Sequence, residues 1–320
     1  MKKGKQYCTI LAMAVYTKLT NQQIEEFLTD YPVGTLVCAT GILQGIDNTN
    51  YKIETTQGLY VLTIFESRIN PDHLPYFLSF MDHLSQSGII CPAPIQTTYQ
   101  QTIGRLAGKP ATLFPFLDGR GVETADITPA LCRELGELLG RMHLAGQAFQ
   151  PRLDNPMGIA AWETRLLKTA DKGLPFFEEL CFLKNSWPTD LPRGAVHADL
   201  FPDNVFILDG HIHGVIDFYF SATDFLTYDL AIVLNAWCFT PDHVYDKEKG
   251  TSFLEGYQSV RSLSDIEKSN FQILARGAAM RFLASRLYDL TFHDPNALVT
   301  PKDPSEYIKK LEFHRDHKII

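Results

Sequence analysis

Residues 197–204 read His-Ala-Asp-Leu-Phe-Pro-Asp-Asn, with Asp199 and Asn204 five positions apart behind His197. Val205 to Leu208 follows as an apolar run, then Asp209-Gly210, then His-Ile-His-Gly-Val-Ile ending at Asp217. Asp-Gly between two apolar runs signals a hairpin, because both central positions of a type I′ turn need positive φ. A turn over 209–212 folds the second arm back and carries Asp217 beside Asn204. Three oxygen-bearing side chains, from Asp199, Asn204 and Asp217, then crowd together. Two of them can hold a hard cation, since Mg2+ takes oxygen ligands, commonly one or two carboxylates with phosphate and water. The third is left to orient or deprotonate a hydroxyl. A lone Asp-x-x-x-x-Asn is more often a surface loop serving turn chemistry. Here the preceding His and the second Asp at the far end of the hairpin tip the balance.

That set matches the parts used in kinase phosphoryl transfer: a catalytic-loop Asp, an Asn on the metal and a further metal Asp before Phe. The last is Ile216-Asp217-Phe218 here. Together with Asp229-Leu-Ala-Ile and Leu234-Asn-Ala-Trp-Cys-Phe, the stretch resembles the aminoglycoside-phosphotransferase-like kinases, and within them the homoserine kinase branch of the bacterial threonine pathway. The resemblance runs from about Met13 to near residue 290. It implies an α+β protein with a two-lobed protein-kinase-like fold, a small antiparallel-sheet N-lobe and a larger, mainly helical C-lobe. It further implies ATP and Mg2+ as cofactors and L-homoserine as the phosphoryl acceptor. Asp199 is then the catalytic base, Asn204 and Asp217 are the metal ligands, and His197 braces the loop. Asp229 reads as a helix N-terminal anchor for that loop.

Upstream, Thr20 and Gln23 form a capping box ahead of a short helix. Strands are predicted over 35–39, 50–55 and 59–65. Between the first two lies Gly41-Ile-Leu-Gln-Gly45-Ile-Asp-Asn48-Thr49-Asn50. A strand, a glycine-containing loop and a returning strand can lay backbone N–H groups over nucleotide phosphates. Gly41, Gly45, Asn48 and Asn50 are therefore nucleotide-binding candidates, with Thr63 on the third strand and Phe116 at the hinge, where kinases of this kind read the adenine edge. Leu74, Phe77, Leu78, Met81 and Leu84 predict a helix over 71–87; strands over 101–106 and 111–116 precede a hinge at Leu117-Asp118-Gly119. The kinase template places a Lys on the third strand and pairs it with a helical Glu. Here Thr63 takes the Lys position and 71–87 contains no Glu. A Thr there is usual in the homoserine kinase branch and sets it apart from antibiotic kinases. Lys52 and Arg68 are the nearest cations that could take over the phosphate charge.

Past the hinge the pattern turns helical. Thr128-Pro129 starts a helix with Leu131, Leu135, Leu138, Leu139 and Met142 as one stripe, and His143 reads as a packed helix-end residue. Further helices are expected over 162–170, 176–183, 267–290 and 307–313. The long one carries Arg276, Arg281 and Arg286. Asn155-Pro-Met-Gly-Ile resembles a family loop. A homoserine pocket needs an acid for the ammonium and a cation for the carboxylate. Asp224 is the candidate for the first and Arg281 for the second.

The chain has 320 residues, 45% hydrophobic and 21% charged, an ordinary globular composition large enough for two lobes. The net charge of −8 argues against a nucleic-acid or anionic-membrane partner. Six dispersed cysteines with no Cys-x-x-Cys fit reduced thiols in the cytoplasm. The basic and apolar N-terminus imitates a signal peptide, but its apolar part is short and broken by Thr9. The expected division is a dispensable extension 1–12, an N-lobe 13–116 and a C-lobe 117–320, working as a monomer or weak homodimer on small molecules alone. A kinase of another small amino alcohol (choline, an aminoglycoside) and a catalytically silent kinase-like binding protein stay open at this point.

Overall fold

The computed structural model describes residues 16–42, 48–67, 69–293 and 300–320. The proposed extension 1–12, Gly45 and Arg68 lie outside the described residues. The chain divides into two compact units, one running to Asp72 and resuming over Pro94–Phe116, the other formed by His73–Ala93 and Leu117–Ile320.

The first unit packs helix α1 (Asn21–Leu28) on a five-stranded antiparallel sheet of β1 (Leu36–Ile42), β2 (Asn48–Thr55), β3 (Gly58–Phe65), β4 (Gly104–Leu106) and β5 (Lys109–Pro115), in the order β1-β2-β3-β5-β4. The capping box forms: Thr20 Oγ1 accepts from the Gln23 N–H at 3.2 Å, and Gln23 Oε1 accepts from the Thr20 N–H at 2.9 Å. Ile24, Phe27 and Leu28 bury against Tyr51, Ile53, Leu62, Ile64, Ala111 and Leu113. Side chains alternate across a strand, so Asn50 and Lys52, with their partners Thr63 and Val61, occupy the opposite face.

The second unit takes helix α2 (Leu74–Gln86), and this corrects the expected N-lobe of 13–116. The reason is aromatic packing. Phe80 lies 5.2 Å from Phe149 and 5.9 Å from Phe218, and Phe77 lies 6.1 Å from Tyr219, all between ring centroids. After β6 (Arg120–Gly121) come α3 (Pro129–Ala148), α4 (Ile159–Lys168) and α5 (Phe177–Ser186). Strands β7 (Arg193–Val196), β8 (Val205–Leu208), β9 (His211–Val215) and β10 (Ala222–Phe225) form two small sheets, β10-β7 and β6-β8-β9. Four helices complete the unit: α6 (Leu226–Trp237), α7 (Lys247–Val260), α8 (Asp265–Thr291) and α9 (Ser305–Asp316).

Sequence periodicity does not mark α7, which carries Gly250 and Gly256. The glycines serve contact rather than propensity. A Cβ on Gly256 would stand 2.1 Å from the Arg133 carbonyl, and one on Gly136 the same distance from the Phe253 carbonyl, so α3 and α7 touch backbone to backbone.

Helix α9 buries His314 completely. Its Nε2 donates to Asn235 Oδ1 at 2.6 Å, while Asn235 Nδ2 donates to the Ala275 carbonyl at 3.1 Å. Burial pushes the imidazole pKa down to about 3, so it is neutral when folded, whereas in the unfolded chain it titrates near 6.5. The unfolded chain binds that proton first. The contribution is therefore constant above pH of about 6.5 and turns unfavourable as pH falls from there toward about 3. At pH 5 it reaches about 2 kcal/mol. His314→Gln, which can still donate to Asn235, should lose less stability than wild type between pH 7 and 5 in urea unfolding curves; equal losses would refute the assignment.

Candidate active site

The turn forms as its dipeptide dictates, and one step further the register shifts by one residue, His213 bulging from β9 between Ile212 and Gly214. Asp209 and Gly210 have φ of 52° and 85°, both positive as a type I′ turn requires. Val205 pairs with Val215, and the Ile216 N–H donates to the Asn204 carbonyl at 2.9 Å. Asp217 is therefore the next residue along from a backbone bond to Asn204. Asn204 Nδ2 donates to the Asp199 carbonyl at 2.8 Å, which closes the loop and leaves Asn204 Oδ1 as its acceptor end. Ala198 and Asp217 both sit in the left-handed region, at φ 62° and 64°. For a side chain other than glycine that conformation costs about 1–2 kcal/mol.

Buried polar groups hold this geometry. Asp229, fully buried on α6, accepts from the His197 N–H at 3.1 Å, the Ala198 N–H at 2.9 Å and His143 Nε2 at 3.1 Å. Burial alone would push its carboxyl up; the His143 hydrogen bond, its histidine neighbours and the Ala198 N–H outweigh that and hold it below the usual carboxylate range. His143 Nδ1 in turn lies 2.8 Å from the Tyr257 hydroxyl, which accepts from Arg261 Nη1 at 3.0 Å. Arg261 Nη2 donates to Glu267 at 2.8 Å, and Glu267 also accepts from Thr227 and from the N-cap Ser264 of α8. His197 keeps both ring nitrogens occupied: Nδ1 accepts from the Asp199 N–H at 3.2 Å and Nε2 donates to the Ile216 carbonyl at 3.0 Å. Burial lowers its pKa, so the ring is a neutral bridge between the two arms that carry Asp199 and Asp217. Trp237 Nε1 secures the Leu200 carbonyl at 2.9 Å.

The two residues expected to meet the substrate's charges are both buried. Asp224, on β10, accepts from Asn155 Nδ2 and from the Phe225 N–H, each at 2.7 Å. Burial pushes its carboxyl up, against those hydrogen bonds and the nearby Arg193 and Arg281. Arg281, on α8, is 1% exposed; its Nη1 donates to the Ala198 carbonyl at 2.5 Å and its Nη2 lies 4.0 Å from Asp199 Oδ1.

In the first unit, Gly41 pairs with Tyr51 at the end of β1. Asn48 Oδ1 accepts from the Glu66 N–H at 3.3 Å, and the Phe116 N–H donates to the Leu59 carbonyl at 3.1 Å. Thr63 Oγ1 donates to Asn50 Oδ1 at 2.8 Å, so two expected nucleotide residues bond each other across the strands. Lys52 shares their face, with its ammonium 4.7 Å from the Phe116 ring centroid. Lys109 has the opposite parity and is tied to Glu66 and to Thr17 Oγ1, the latter at 2.8 Å. Among the described cations of β2, β3 and β5, Lys52 is thus the one on the face of Thr63.

Several residues of the site escape sequence reasoning. His143 and Asn155 lie more than a hundred positions before Tyr257, Arg261 and Glu267, and no local spacing links the two sets. The one available signal is Ser264 with Glu267, a capping box in which the Glu also pairs with Arg261.

A unit built on a five-stranded antiparallel sheet and a mainly helical unit that carries this loop and hairpin are the two parts of a protein-kinase-like phosphotransferase. The chain belongs to the phosphotransferase enzyme family, whose model matches residues 39–263. It is 45% identical over 311 residues to a homoserine kinase of Xanthobacter autotrophicus, covering 95% of this chain and 96% of that one. It is 44% identical over 311 residues to the homoserine kinase of Rhizobium rhizogenes, at 95% and 96% coverage. Among solved structures, an amicoumacin kinase superposes with a TM-score of 0.70 at 18% identity over 93% of this chain and 94% of that chain, a likeness of fold alone.

The neutral Thr63–Asn50 pair gives a direct expectation. Thr63→Ala loses at most one neutral hydrogen bond, about 0.5–1.5 kcal/mol, so ATP turnover should stay within roughly tenfold of wild type. Lys52→Ala removes the cation of that face and should raise the ATP KM more. Steady-state kinetics against ATP check this; a crippled Thr63→Ala beside a normal Lys52→Ala would invert the two roles.

Proposed function

We infer that this chain is an ATP-dependent homoserine kinase, transferring the γ-phosphate of ATP to the hydroxyl of L-homoserine to give O-phospho-L-homoserine and ADP. The observation that carries the reading is near-full-length similarity to homoserine kinases, supported by a loop in which Asn204 bonds the Asp199 carbonyl and the Ile216 N–H just before Asp217. Asp199 orients the homoserine hydroxyl and takes its proton as the oxygen bonds to the γ-phosphorus and the bond to the β-phosphate oxygen breaks. The transition state is loose, so fixing that hydroxyl in line matters more than the basicity of the carboxylate.

The donor set suits Mg2+. Asn204 has committed its Nδ2 to the Asp199 carbonyl and keeps Oδ1 as an acceptor, and Asp217 adds a carboxylate; these are the hard oxygen ligands the ion takes. When bound, Mg2+ neutralises charge on the β- and γ-phosphates. Asp224, pushed up by burial, regains a counter-charge when the substrate ammonium arrives, and Asn155 holds its carboxylate in one orientation. The neutral face of Thr63 and Asn50, with Lys52 beside it, serves the nucleotide. Dispersed cysteines favour the reducing cytoplasm.

A coupled ADP assay with MgATP should rank L-homoserine above L-serine, choline and kanamycin. A clear win for choline or kanamycin would sink the substrate assignment and leave the kinase fold standing. In the same assay Asp199→Asn should keep its ATP affinity and lose about 10²–10⁴-fold in kcat. Wild-type turnover in that variant would remove Asp199 from its role.

A further inference from the structure

Arg281 was expected from sequence to seat the carboxylate of the substrate, and its surroundings point elsewhere. The guanidinium is 1% exposed. Its plane lies near two rings, with Cζ 4.8 Å from the Phe282 centroid and 5.8 Å from that of Phe220. Nη1 donates to the Ala198 carbonyl at 2.5 Å, and Nη2 is 4.0 Å from Asp199 Oδ1. The same Ala198 gives its N–H to Asp229 Oδ1 at 2.9 Å. One residue, immediately before Asp199, thus has its donor held by a buried anion from α6 and its acceptor held by a buried cation from α8. Ala198 is also in the left-handed region, at φ 62°, a conformation alanine leaves unless its surroundings impose it. Opposite charges on the two polar groups of this residue are such an imposition.

We propose that Arg281 is a positioning residue: it grips the Ala198 carbonyl from α8, works against the pull of Asp229 from α6, and so fixes the direction in which Asp199 presents its carboxylate to the acceptor hydroxyl. The rigid guanidinium fork suits the task, since it bonds the backbone carbonyl through one nitrogen while the other stands 4.0 Å from the Asp199 carboxylate, a geometry a single ammonium cannot reproduce. Its Nε is buried and has no partner among the described residues. A substrate carboxylate could reach that donor only if the packing around it opened.

The inference rests on the homoserine kinase reading, and the experiment separates the two. The pair of acceptors is L-homoserine and 3-aminopropan-1-ol, which keeps the hydroxyl and the amine and lacks the carboxylate. The variants are Arg281→Met and the milder Arg281→Lys, each checked for melting temperature and ATP binding. A positioning role predicts that Arg281→Met loses kcat by about 100-fold with either alcohol, as misplacement of a reacting group by about 1 Å does. The homoserine KM should stay within about threefold, and Arg281→Lys should fall between wild type and Arg281→Met. A carboxylate seat predicts the reverse: the homoserine KM rises tenfold or more, kcat holds, and 3-aminopropan-1-ol is used as well by the variants as by wild type. That pattern, or wild-type kcat in both variants, overturns the proposal. Should Arg281→Met fail to fold, Arg281→Lys alone decides through the same split. If wild type phosphorylates neither alcohol, the functional reading fails. The positioning role is then read on acceptor-free ATP hydrolysis, where Arg281→Lys must still lower kcat and an unchanged rate refutes it.

Discussion

Asp229 takes the N–H groups of His197 and Ala198 at 3.1 and 2.9 Å, fully buried on the first turns of α6. Without that carboxylate two backbone donors would be stranded away from water, at about 1–3 kcal/mol each. The loop would then relax toward conformations that point Asp199 elsewhere. A buried carboxylate is itself costly to desolvate, and His143 offsets the cost with a donor from α3. His143 depends on Tyr257, Tyr257 on Arg261, and Arg261 on Glu267 at the start of α8. The conformation of residues 197–199 thus depends on side chains from four helices, α3, α6, α7 and α8. Fully satisfied buried networks of this kind specify one arrangement, whereas partly satisfied ones destabilise.

The sheet of the first unit works on a different principle. Its α1-facing side is an ordinary apolar core, and its other side carries a cross-strand Thr63–Asn50 hydrogen bond where the kinase template has a lysine. A neutral pair can orient a phosphate by hydrogen bonding but brings no charge to it. Lys52, one step along β2 on the same face, restores a cation at a new point of the sheet, and its ammonium rests over the Phe116 ring. Lys109 cannot serve in its place, because Glu66 and Thr17 already hold it on the opposite parity.

The parts of this molecule legible in the sequence are those whose cause is local. Asp209-Gly210 fixes a turn, and a one-residue bulge at His213 then shifts the register so that Val205 faces Val215 and Asp217 follows the Ile216–Asn204 bond. Thr20 with Gln23, and Thr128 with Pro129, start α1 and α3 where the capping rules place them. The illegible parts have distant causes. Helix α7 hides behind two glycines, Gly256 making room for the α3 backbone more than a hundred residues earlier and Gly250 for the Tyr245 ring. Helix α2 follows a strand and reads as part of the sheet unit until Phe149, Phe218 and Tyr219 are seen to receive its aromatic face. Arginine on a long helix looks like surface charge or a substrate clamp from sequence; only the fold brings Arg281 within reach of the Ala198 carbonyl.

Strain links these observations. Ala198 and Asp217 both adopt positive φ, one just before the proposed base and the other at the proposed metal ligand. Glycine would occupy either position without steric penalty, but it would also admit many neighbouring conformations, and a loop that must aim a carboxylate gains from having few. An alanine in the left-handed region is stable only while something pulls on both of its peptide groups, and a charge on each side supplies that pull here. The neutral ring of His197 transmits the constraint across the hairpin by bonding the Asp199 N–H with one nitrogen and the Ile216 carbonyl with the other. The two strained residues are therefore held by one connected set of hydrogen bonds, which ties the backbone at Asp199 to the backbone just before Asp217. For a phosphoryl transfer that depends on alignment more than on basicity, fixing that backbone in advance is the main contribution the protein can make.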